Sequence, residues 1–464
     1  MGADHEAALL DEIRARPDDD GPRLVFADAL ADRGDPWGEL IVAGCELARL
    51  AREGVVDAER RSALQDRCRE IQQQRWEERS LTLDASLERG FCTSVELFHD
   101  GEATQVEGYE FAALREANLP VSGAALGALA DCPLLGHIDR LMLSGKHRRH
   151  FPTRLEWAEN LSACATALRK IGERARPASV ELSYADLDGE GLNHLAASPL
   201  RESLKRFAVT HSPRTAINLG WPALEELTLH AVRLTSTDVE RVLRRPALAS
   251  LATLDLSYNA IGDAGMRAIL DRELPGLRTL RILNTNQPES GAIALARSQL
   301  VRRLAALWVG EPHPEPTARA LCALVEAAGQ LTELAIEQRS LTAYGAAEIV
   351  HRLGEPLRKL RLRGGEDGVA MVSALASNPA LRGLRSLDLS SQPLARAAVE
   401  TLARAELPAL ECLDLSDCRL GPAGVDALAR SETLPRRLTL LLRHNALPPS
   451  SFELLLARFH DVRF

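Results

Sequence analysis

Residues that commonly carry chemistry come close together in only three short stretches of this sequence. Three adjacent aspartates, residues 18–20, stand before Pro22, and neighbouring carboxylates are groups that can ligate a metal ion. The run 146–150 (K-H-R-R-H) is the densest basic cluster, and clustered cations can bind phosphate. Cys418 is the third candidate, because a thiolate can act as a nucleophile.

For all three stretches we favour an interpretation without chemistry. Asp20 before Pro22 is typical of the residue that caps the start of a helix. One basic cluster in a net acidic chain is typical of solvated surface, and Cys418 falls in a turn where a buried thiol is expected. The motifs G-x-x-x-x-G-K-[ST], H-E-x-x-H, G-x-S-x-G and C-x-x-C are absent from the sequence. We therefore predict no catalytic residue, no metal, no cofactor and no enzyme activity.

The composition predicts an aliphatic core and an acidic surface. Hydrophobic residues make up 45% of the 464 residues, but aromatic residues make up only 4%. The formal net charge is −9, and the first 80 residues hold 12 basic against 19 acidic side chains. Because nucleic-acid binding needs a basic face, we expect no nucleic-acid partner.

The cysteines and the start of the chain predict the compartment. The eight cysteines are scattered singly, which is typical of buried thiols in a reducing environment. The first residues are acidic and resemble no secretory signal, and no apolar run approaches the ~20 residues that span a membrane. We expect a cytoplasmic protein without membrane contact that is a monomer outside its complex.

A repeat of 26 or 27 residues runs through the second half of the sequence. The segment 251–265 (L-A-T-L-D-L-S-Y-N-A-I-G-D-A-G) has leucines at the first, fourth and sixth positions and Asn259 at the ninth. The same frame starts at Leu224, Leu251, Leu277, Leu304, Leu331, Leu357, Leu384 and Leu410, with a degenerate copy at Arg437. Weaker copies begin at Pro177 and Leu204.

This frame resembles leucine-rich repeats, in particular the ribonuclease-inhibitor-like and cysteine-containing types. The resemblance implies an α/β solenoid, in which a curved parallel sheet carries helices on its convex side. An asparagine normally satisfies backbone groups in the turn after each strand, as Asn259 and Asn445 would do. The other units must satisfy that turn differently, since their ninth residues are Val232, Thr285, Pro312, Arg339, Gly365, Gln392 and Cys418.

The front of the chain is predicted to be a small all-α domain, residues 1–80. Hydrophobic spacing and caps predict four helices, at 6–16, 22–33, 36–53 and 57–79. The stretch 23–41, with R-L-V-F-A-D, R-G-D-P and G-E-L-I, resembles the repeat-companion domain of bacterial repeat proteins, although Ala29 stands where that family has Trp. The resemblance implies a bacterial source. Its charged residues Asp28, Asp32, Arg33 and Asp35 could form a docking patch, but we favour capping and intrahelical pairing.

Residues 81–175 are predicted to be diverged repeats that cap the solenoid, and 176–464 the solenoid with its C-terminal cap. Strand-like pieces occur at 94–98 and 139–143. An amphipathic segment, 452–459, is suited to closing the last repeat.

The exposed face of the sheet is the predicted binding surface. In the frame, the third, fifth, seventh and eighth residues point away from the buried leucines. Aromatic and arginine side chains often anchor interfaces, so Tyr258, Arg281 and Trp308 are strong candidates. The predicted partner-binding residues are Tyr258, Arg281, Trp308, Lys359, Arg361, Arg363, Asp388, Asp414 and Asp417. The remaining charged outward residues are Glu226, Asp255, Glu333, Glu337 and Arg443.

Two hypotheses for the function remain open. The first is a non-enzymatic scaffold that binds a protein partner on the concave sheet face, while the acidic front domain docks a second protein or caps the solenoid. The second is a regulatory activator of a partner enzyme such as a GTPase, which presents a polar residue to that enzyme's active site. The basic residues 359–363 and the acidic residues 388–417 either orient the partner or neutralise each other across neighbouring strands.

Overall fold

The chain has an α/β fold of repeated strand, turn and helix, preceded by a helical region. The computed structural model describes residues 3–53, 57–98, 102–145, 154–185, 199–212, 223–244, 248–272, 274–310, 316–338, 341–363 and 368–464. The basic cluster 146–150 and the turn residues Pro312, Arg339 and Gly365 lie outside the described residues. The chain divides into two compact units, residues 1–224 and 225–464.

The first unit begins with the four predicted helices. They are α1 (Ala3–Ala15), α2 (Gly21–Ala31), α3 (Trp37–Glu53) and α4 (Ala58–Glu78). Trp37 is fully buried between them, where its ring stacks on Trp76 with centroids 5.6 Å apart and its Nε1 donates to the Gly90 carbonyl at 2.9 Å. Gly38 lets α2 and α3 touch, since a Cβ there would lie 2.6 Å from the Ala27 carbonyl oxygen. The helical region is therefore confirmed.

The charged residues of the R-G-D-P stretch bind the helices to one another. Asp35 accepts the backbone N–H of Trp37 at 3.0 Å and pairs with Arg75 of α4, while Arg33 pairs with Glu6 of α1 at 3.1 Å. Capping is thus found at Asp35, but the expected pairing within one helix is wrong for these residues, because Arg33 and Asp35 lie in the loop between α2 and α3 and pair with α1 and α4. Asp28 and Asp32 are exposed.

An aspartate before Pro22 does cap the start of α2, but it is Asp19 and not Asp20. The backbone of Asp20 is helical, and its side chain makes no capping hydrogen bond. Instead the carboxylate pairs with Arg52 at 2.8 Å and with the buried Arg89 at 3.3 Å, while Asp19 accepts the N–H of Gly21 at 2.9 Å. The neighbouring arginines draw the Asp20 carboxylate away from the helix end.

The first unit continues into six strands. The hairpin of β1 (Asp84–Glu88) and β2 (Phe91–Glu96) turns at Arg89 and Gly90, both with positive φ. The parallel strands are β2 and then β3 (Glu116–Val121), β4 (Arg140–Gly145), β5 (Ser179–Ser183) and β6 (Arg206–Thr210). The helices α5 (Gly123–Asp131) and α6 (Arg154–Arg174) lie between strands in the sequence. Both strand-like pieces predicted in 81–175 are found in β2 and β4, whereas β3 was not predicted.

The second unit is a parallel sheet whose strands follow the predicted frame. Each strand from β7 to β15 begins two residues after the predicted start of its repeat, and every described pair is parallel. The strands are β7 (Glu226–His230), β8 (Thr253–Asp255), β9 (Thr279–Leu283), β10 (Ala306–Gly310), β11 (Glu333–Glu337), β12 (Lys359–Arg363), β13 (Ser386–Asp388), β14 (Cys412–Asp414) and β15 (Thr439–Leu441).

Helices alternate with these strands because each repeat has an apolar stripe that packs beneath the sheet. They are α7 (Ser236–Leu243), α8 (Gly262–Asp271), α9 (Glu289–Arg297), α10 (Ala318–Ala327), α11 (Ala343–Val350), α12 (Val369–Ser377), α13 (Arg396–Leu402), α14 (Pro422–Ala429) and α15 (Pro449–Arg458). The last helix contains the predicted amphipathic segment. After it, β16 (Asp461–Arg463) pairs with β15.

The turns after the strands are satisfied by different side chains. The buried Asn259 accepts the N–H groups of Val232 and Leu234 at 3.1 and 2.9 Å and donates to three carbonyl oxygens. Gln392 donates to the carbonyls of Leu362 and Leu389, at 2.7 and 3.0 Å. At Gln392 the turn is thus satisfied by a side chain other than asparagine, as predicted for that unit.

Candidate interaction surface

The fifth residues of neighbouring repeats form one row across the sheet of the second unit. Strand register aligns Asp255 with Arg281, Arg281 with Trp308, Trp308 with Ala335, and Ala335 with Arg361. The row continues through Asp388 and Asp414. Leucines such as Leu256 and Leu389 alternate with the row and are almost fully buried. Five of the predicted partner-binding residues therefore lie in one line.

Trp308 lies at the centre of this row between two guanidinium groups. The Cζ atoms of Arg281 and Arg361 are 4.4 and 5.0 Å from the centroid of its ring. Its Nε1 donates to Oε1 of Glu333 on β11 at 2.6 Å. We call Arg281, Trp308, Glu333 and Arg361 the tryptophan cluster. The attraction between guanidinium charges and the indole face holds this large side chain in place while it stays half-buried.

The small residue Ala335 explains how Trp308 reaches Arg361. Arg361 is on β12, two strands from β10, and Ala335 occupies the aligned position on the strand between them. Ala335 is 2% exposed although it is on the same row as the half-exposed cations. A methyl side chain leaves space above β11, and we infer that the indole lies across it. The sequence alone gives no sign of this contact, because it joins side chains of non-adjacent strands.

Arg361 and Arg363 share two carboxylates on the neighbouring strands. Arg361 donates through Nε to Oδ2 of Asp388 at 2.7 Å and lies 3.5 Å from Oε1 of Glu337. Arg363 is 3.4 Å from each of these carboxylates and donates to Oγ of Ser390 at 3.1 Å. The basic and acidic stretches thus neutralise each other at these residues, which favours that alternative over a bare basic patch.

Asp388 is held as an anion inside this network. Burial on its own would raise the pKa of Asp388, but hydrogen bonds from the side chain and backbone of Ser390 and the charges of Arg363 and Arg361 outweigh it. The pKa is therefore below its ordinary value. Because each of its oxygens is engaged, Asp388 serves to position the arginines.

Three further predicted residues, Lys359, Asp414 and Asp417, contribute less to these contacts. Lys359 is 64% exposed and its Nζ is 3.6 Å from Oε2 of Glu333. Asp414 accepts the backbone N–H of Ser416 at 2.9 Å. Asp417 is exposed in the turn after β14, with φ of 54°. Of the three, only Lys359 touches the tryptophan cluster through a contact that the structure describes.

Tyr258 extends the surface toward β7 and pairs with a residue that sequence analysis missed. It is 43% exposed, and its ring is 4.8 Å from that of His230. Burial is the main cause that raises the pKa of Tyr258, and the carboxylate of Glu337 adds to it. His230 is a seventh residue of the frame, and a search for outward aromatic rings that included histidine would have found it.

The seventh position of the frame is buried in some repeats, which corrects the predicted pattern. Ser257, Leu283 and Ser390 occupy it and are buried. At two of these residues a local bond shapes the strand end: Asp255 and Asp388 accept the backbone N–H of the serine two residues later, both at 2.9 Å, and these bonds turn the chain. Asp255 is only 7% exposed, although it lies on the same row as Arg281.

The remaining candidates for chemistry have structural roles. Cys418 is fully buried, its Sγ contacts the Leu389 carbonyl oxygen at 3.1 Å, and burial raises the pKa of its thiol to about 12. The expectation that all eight cysteines are buried is wrong for Cys68 and Cys412, which are half-buried. Within the described ranges there is no group of three His, Cys, Asp or Glu side chains that could hold a metal. Nor does any described helix have the length and apolarity needed to cross a membrane.

Comparisons with known proteins find the repeat in two places. Residues 247–270 and 407–429 match the family model described as leucine-rich repeat. A chain in the crystal structure of the Rad7 and Elc1 complex of yeast is similar at 16% identity, with 73% of this chain and 72% of that chain covered and a TM-score of 0.39. No curated protein sequence matches the chain. The two matched segments begin at or before the frames at Leu251 and Leu410, so these parts of the second unit are similar to leucine-rich repeats.

Proposed function

We propose that this chain is a non-enzymatic scaffold that binds a protein partner on the exposed face of the sheet in the second unit, with the tryptophan cluster at the centre of the interface. The observation that carries the proposal is the indole of Trp308, partly exposed between two guanidinium groups. Tryptophan and arginine are the side chains most enriched among residues that dominate binding energy.

The fixed geometry of the cluster supports a role in binding. The indole is held by a hydrogen bond of 2.6 Å and by two cations, and Arg361 is held in turn by Asp388 at 2.7 Å. Side chains that are already ordered lose little conformational entropy when a partner binds, so more of the contact energy becomes affinity. A row of solvated, mobile charges would lack this advantage.

The test is affinity capture from a lysate of the organism that encodes the chain, with three immobilised full-length proteins: wild type, Trp308→Ala and Tyr344→Ala. Tyr344 is 73% exposed on α11 and serves as the matched control, since its change also removes an exposed ring. Mass spectrometry should find a partner that wild type and Tyr344→Ala retain equally and Trp308→Ala loses. Purified, that partner should bind Trp308→Ala at least about tenfold more weakly.

Circular dichroism and thermal unfolding must show that Trp308→Ala is folded. If the folded variant retains every protein that wild type retains, the interface does not include the tryptophan cluster and the proposal is wrong.

A further inference from the structure

Arg281 differs from Lys359, Arg361 and Arg363 of the exposed face in having weaker polar partners. Arg361 and Arg363 each donate hydrogen bonds to side chains, and Lys359 has a carboxylate at 3.6 Å. The side chain of Arg281 makes no hydrogen bond with any residue that the structure describes; its Nε is buried, and its Nη1 is 3.9 Å from Oδ2 of Asp255. Its side chain is one-third exposed while its guanidinium is held against the Trp308 ring.

Asp255 offers Arg281 only one carboxylate oxygen, because the other oxygen of Asp255 already accepts a hydrogen bond. Oδ1 accepts the backbone N–H of Ser257 at 2.9 Å, and this bond fixes the carboxylate at the end of β8. The Nη groups of this one-third-exposed side chain therefore keep donors that a ligand can use, whereas Nε is buried. An arginine fork bonded to a carboxylate is among the stronger polar contacts between proteins.

The charges around Arg281 select the kind of anion. Asp255 is beside it, and Glu333 and Glu337 lie on β11, where they already face Lys359, Arg361 and Arg363. One incoming negative charge can be matched by Arg281 alone. A doubly charged phosphate would be repelled by these carboxylates. Its second charge would find no cation, because Lys359, Arg361 and Arg363 already face carboxylates.

We propose that Arg281 binds a carboxylate side chain of the partner, and that an apolar or aromatic side chain beside that acid packs on Trp308 and Tyr258. The occupant is thus a peptide segment with an Asp or Glu next to an apolar residue. This inference rests on the proposed function and specifies the chemistry of its partner.

The probe is a library of random linear peptides displayed on phage, selected on the immobilised full chain and depleted on Trp308→Ala. Peptides that survive should share an Asp or Glu at a fixed place beside an apolar residue. Synthetic peptides are then measured by calorimetry against wild type, Arg281→Met and the matched control Arg302→Met. Arg302 is an exposed arginine in the short turn before β10.

The acid and Arg281 should prove to be partners in a double-mutant cycle. Changing the peptide acid to its amide, or Arg281 to Met, should each weaken binding by about tenfold or more, and the two changes together should cost little beyond either one. Arg302→Met should bind as wild type does. A phosphoserine in place of the acid should bind more weakly.

The outcomes separate this inference from the proposed function. Three results would overturn the carboxylate assignment but not the proposed binding face. The peptides that depend on Trp308 would show no preference for an acid, would bind Arg281→Met as tightly as wild type, or would bind more tightly with phosphoserine. A selection that yields no peptide dependent on Trp308 would overturn both.

Discussion

The indole Nε1 of Trp308 donates to the Oε1 of Glu333 across two parallel strands, at 2.6 Å. Glu333 belongs to the strand next to β10, so the bond directs the indole away from Arg281's strand and over β11. There the ring meets Arg361, 5.0 Å from its centroid. Three repeats besides its own thus contribute to the position of this aromatic side chain, through Arg281, Glu333 and Arg361, which makes that position sensitive to residues on other strands.

Ala335→Leu should displace the indole. Ala335 is buried on the row that Trp308 crosses, so added carbons must push the ring outward or strain the sheet. We expect the free energy of unfolding to fall by about 1–3 kcal/mol, measured in urea. The control Ala397→Leu changes an exposed residue of α13 and should stay within about 0.5 kcal/mol of wild type. Equal stability of both variants would show that the space above β11 is empty.

Asn259→Ala should cost more than Gln392→Ala. Asn259 makes five hydrogen bonds with buried backbone groups and Gln392 makes two. Buried groups left without a partner cost about 1–3 kcal/mol each, so we expect a loss of about 3 kcal/mol or more for Asn259→Ala and a smaller loss for Gln392→Ala. Chemical denaturation measures both. The reverse order would mean that the turns are not held by these side chains.

Leu256→Asp and Leu389→Asp should each destabilise the fold by several kcal/mol. Both leucines are almost fully buried, and an aspartate there would be an unpaired buried carboxylate. The melting temperature is the measurement, with Ser391→Asp, at an exposed turn position, as the control. A melting temperature unchanged from wild type would contradict the register of the strands.

Asp388 should make stability depend on pH in the acid range. Its pKa in the folded state is held below the ordinary value, so its contribution is present above the unfolded pKa of about 3.9 and is lost as the pH falls through the folded value. Asp388→Asn should therefore be less stable than wild type near neutral pH, and the difference should shrink below about pH 4. Urea unfolding at several pH values gives the comparison.

The control for this experiment is Asp426→Asn, at an exposed position of α14. We expect its stability to follow that of wild type across the same pH range, because a solvated charge contributes little. If the difference for Asp388→Asn stays constant with pH, its carboxylate does not stabilise the arginines as an anion.

The fold of the second unit was predictable because its repeat is regular. Leucines recur at fixed places every 26 or 27 residues, so each strand begins where the frame places it, from Glu226 to Thr439. In the first unit the starts of the parallel strands are unevenly spaced, and α6 alone takes 21 residues between β4 and β5. Without a period, β3 offered only a short apolar stretch, which periodicity cannot distinguish from a helix.

The sequence predicted which residues belong to the candidate site but not which of them contact each other. The frame assigned Arg281, Trp308 and Arg361 to one face, and register confirms that they share a row. The sequence could not show which arginine has donors free to bind a partner, because that depends on distances between side chains. Arg361 is 2.7 Å from Asp388, whereas Arg281 is 3.9 Å from Asp255. Such differences come from side-chain rotamers and from turn bonds at the strand ends.

Strand pairing in the second unit determines where local unfolding of its sheet begins. Each inner strand forms hydrogen bonds only with the strands before and after it, so each strand is stabilised mainly by its nearest neighbours. Local unfolding of the sheet is therefore expected to start at its end strands. The strands β9 to β13, which carry Arg281, Trp308, Glu333, Arg361 and Asp388, have β7 and β8 on one side and β14 to β16 on the other. Amide hydrogens of β10 and β11 should therefore exchange more slowly than those of β15, and local opening at the last strands should leave the tryptophan cluster assembled.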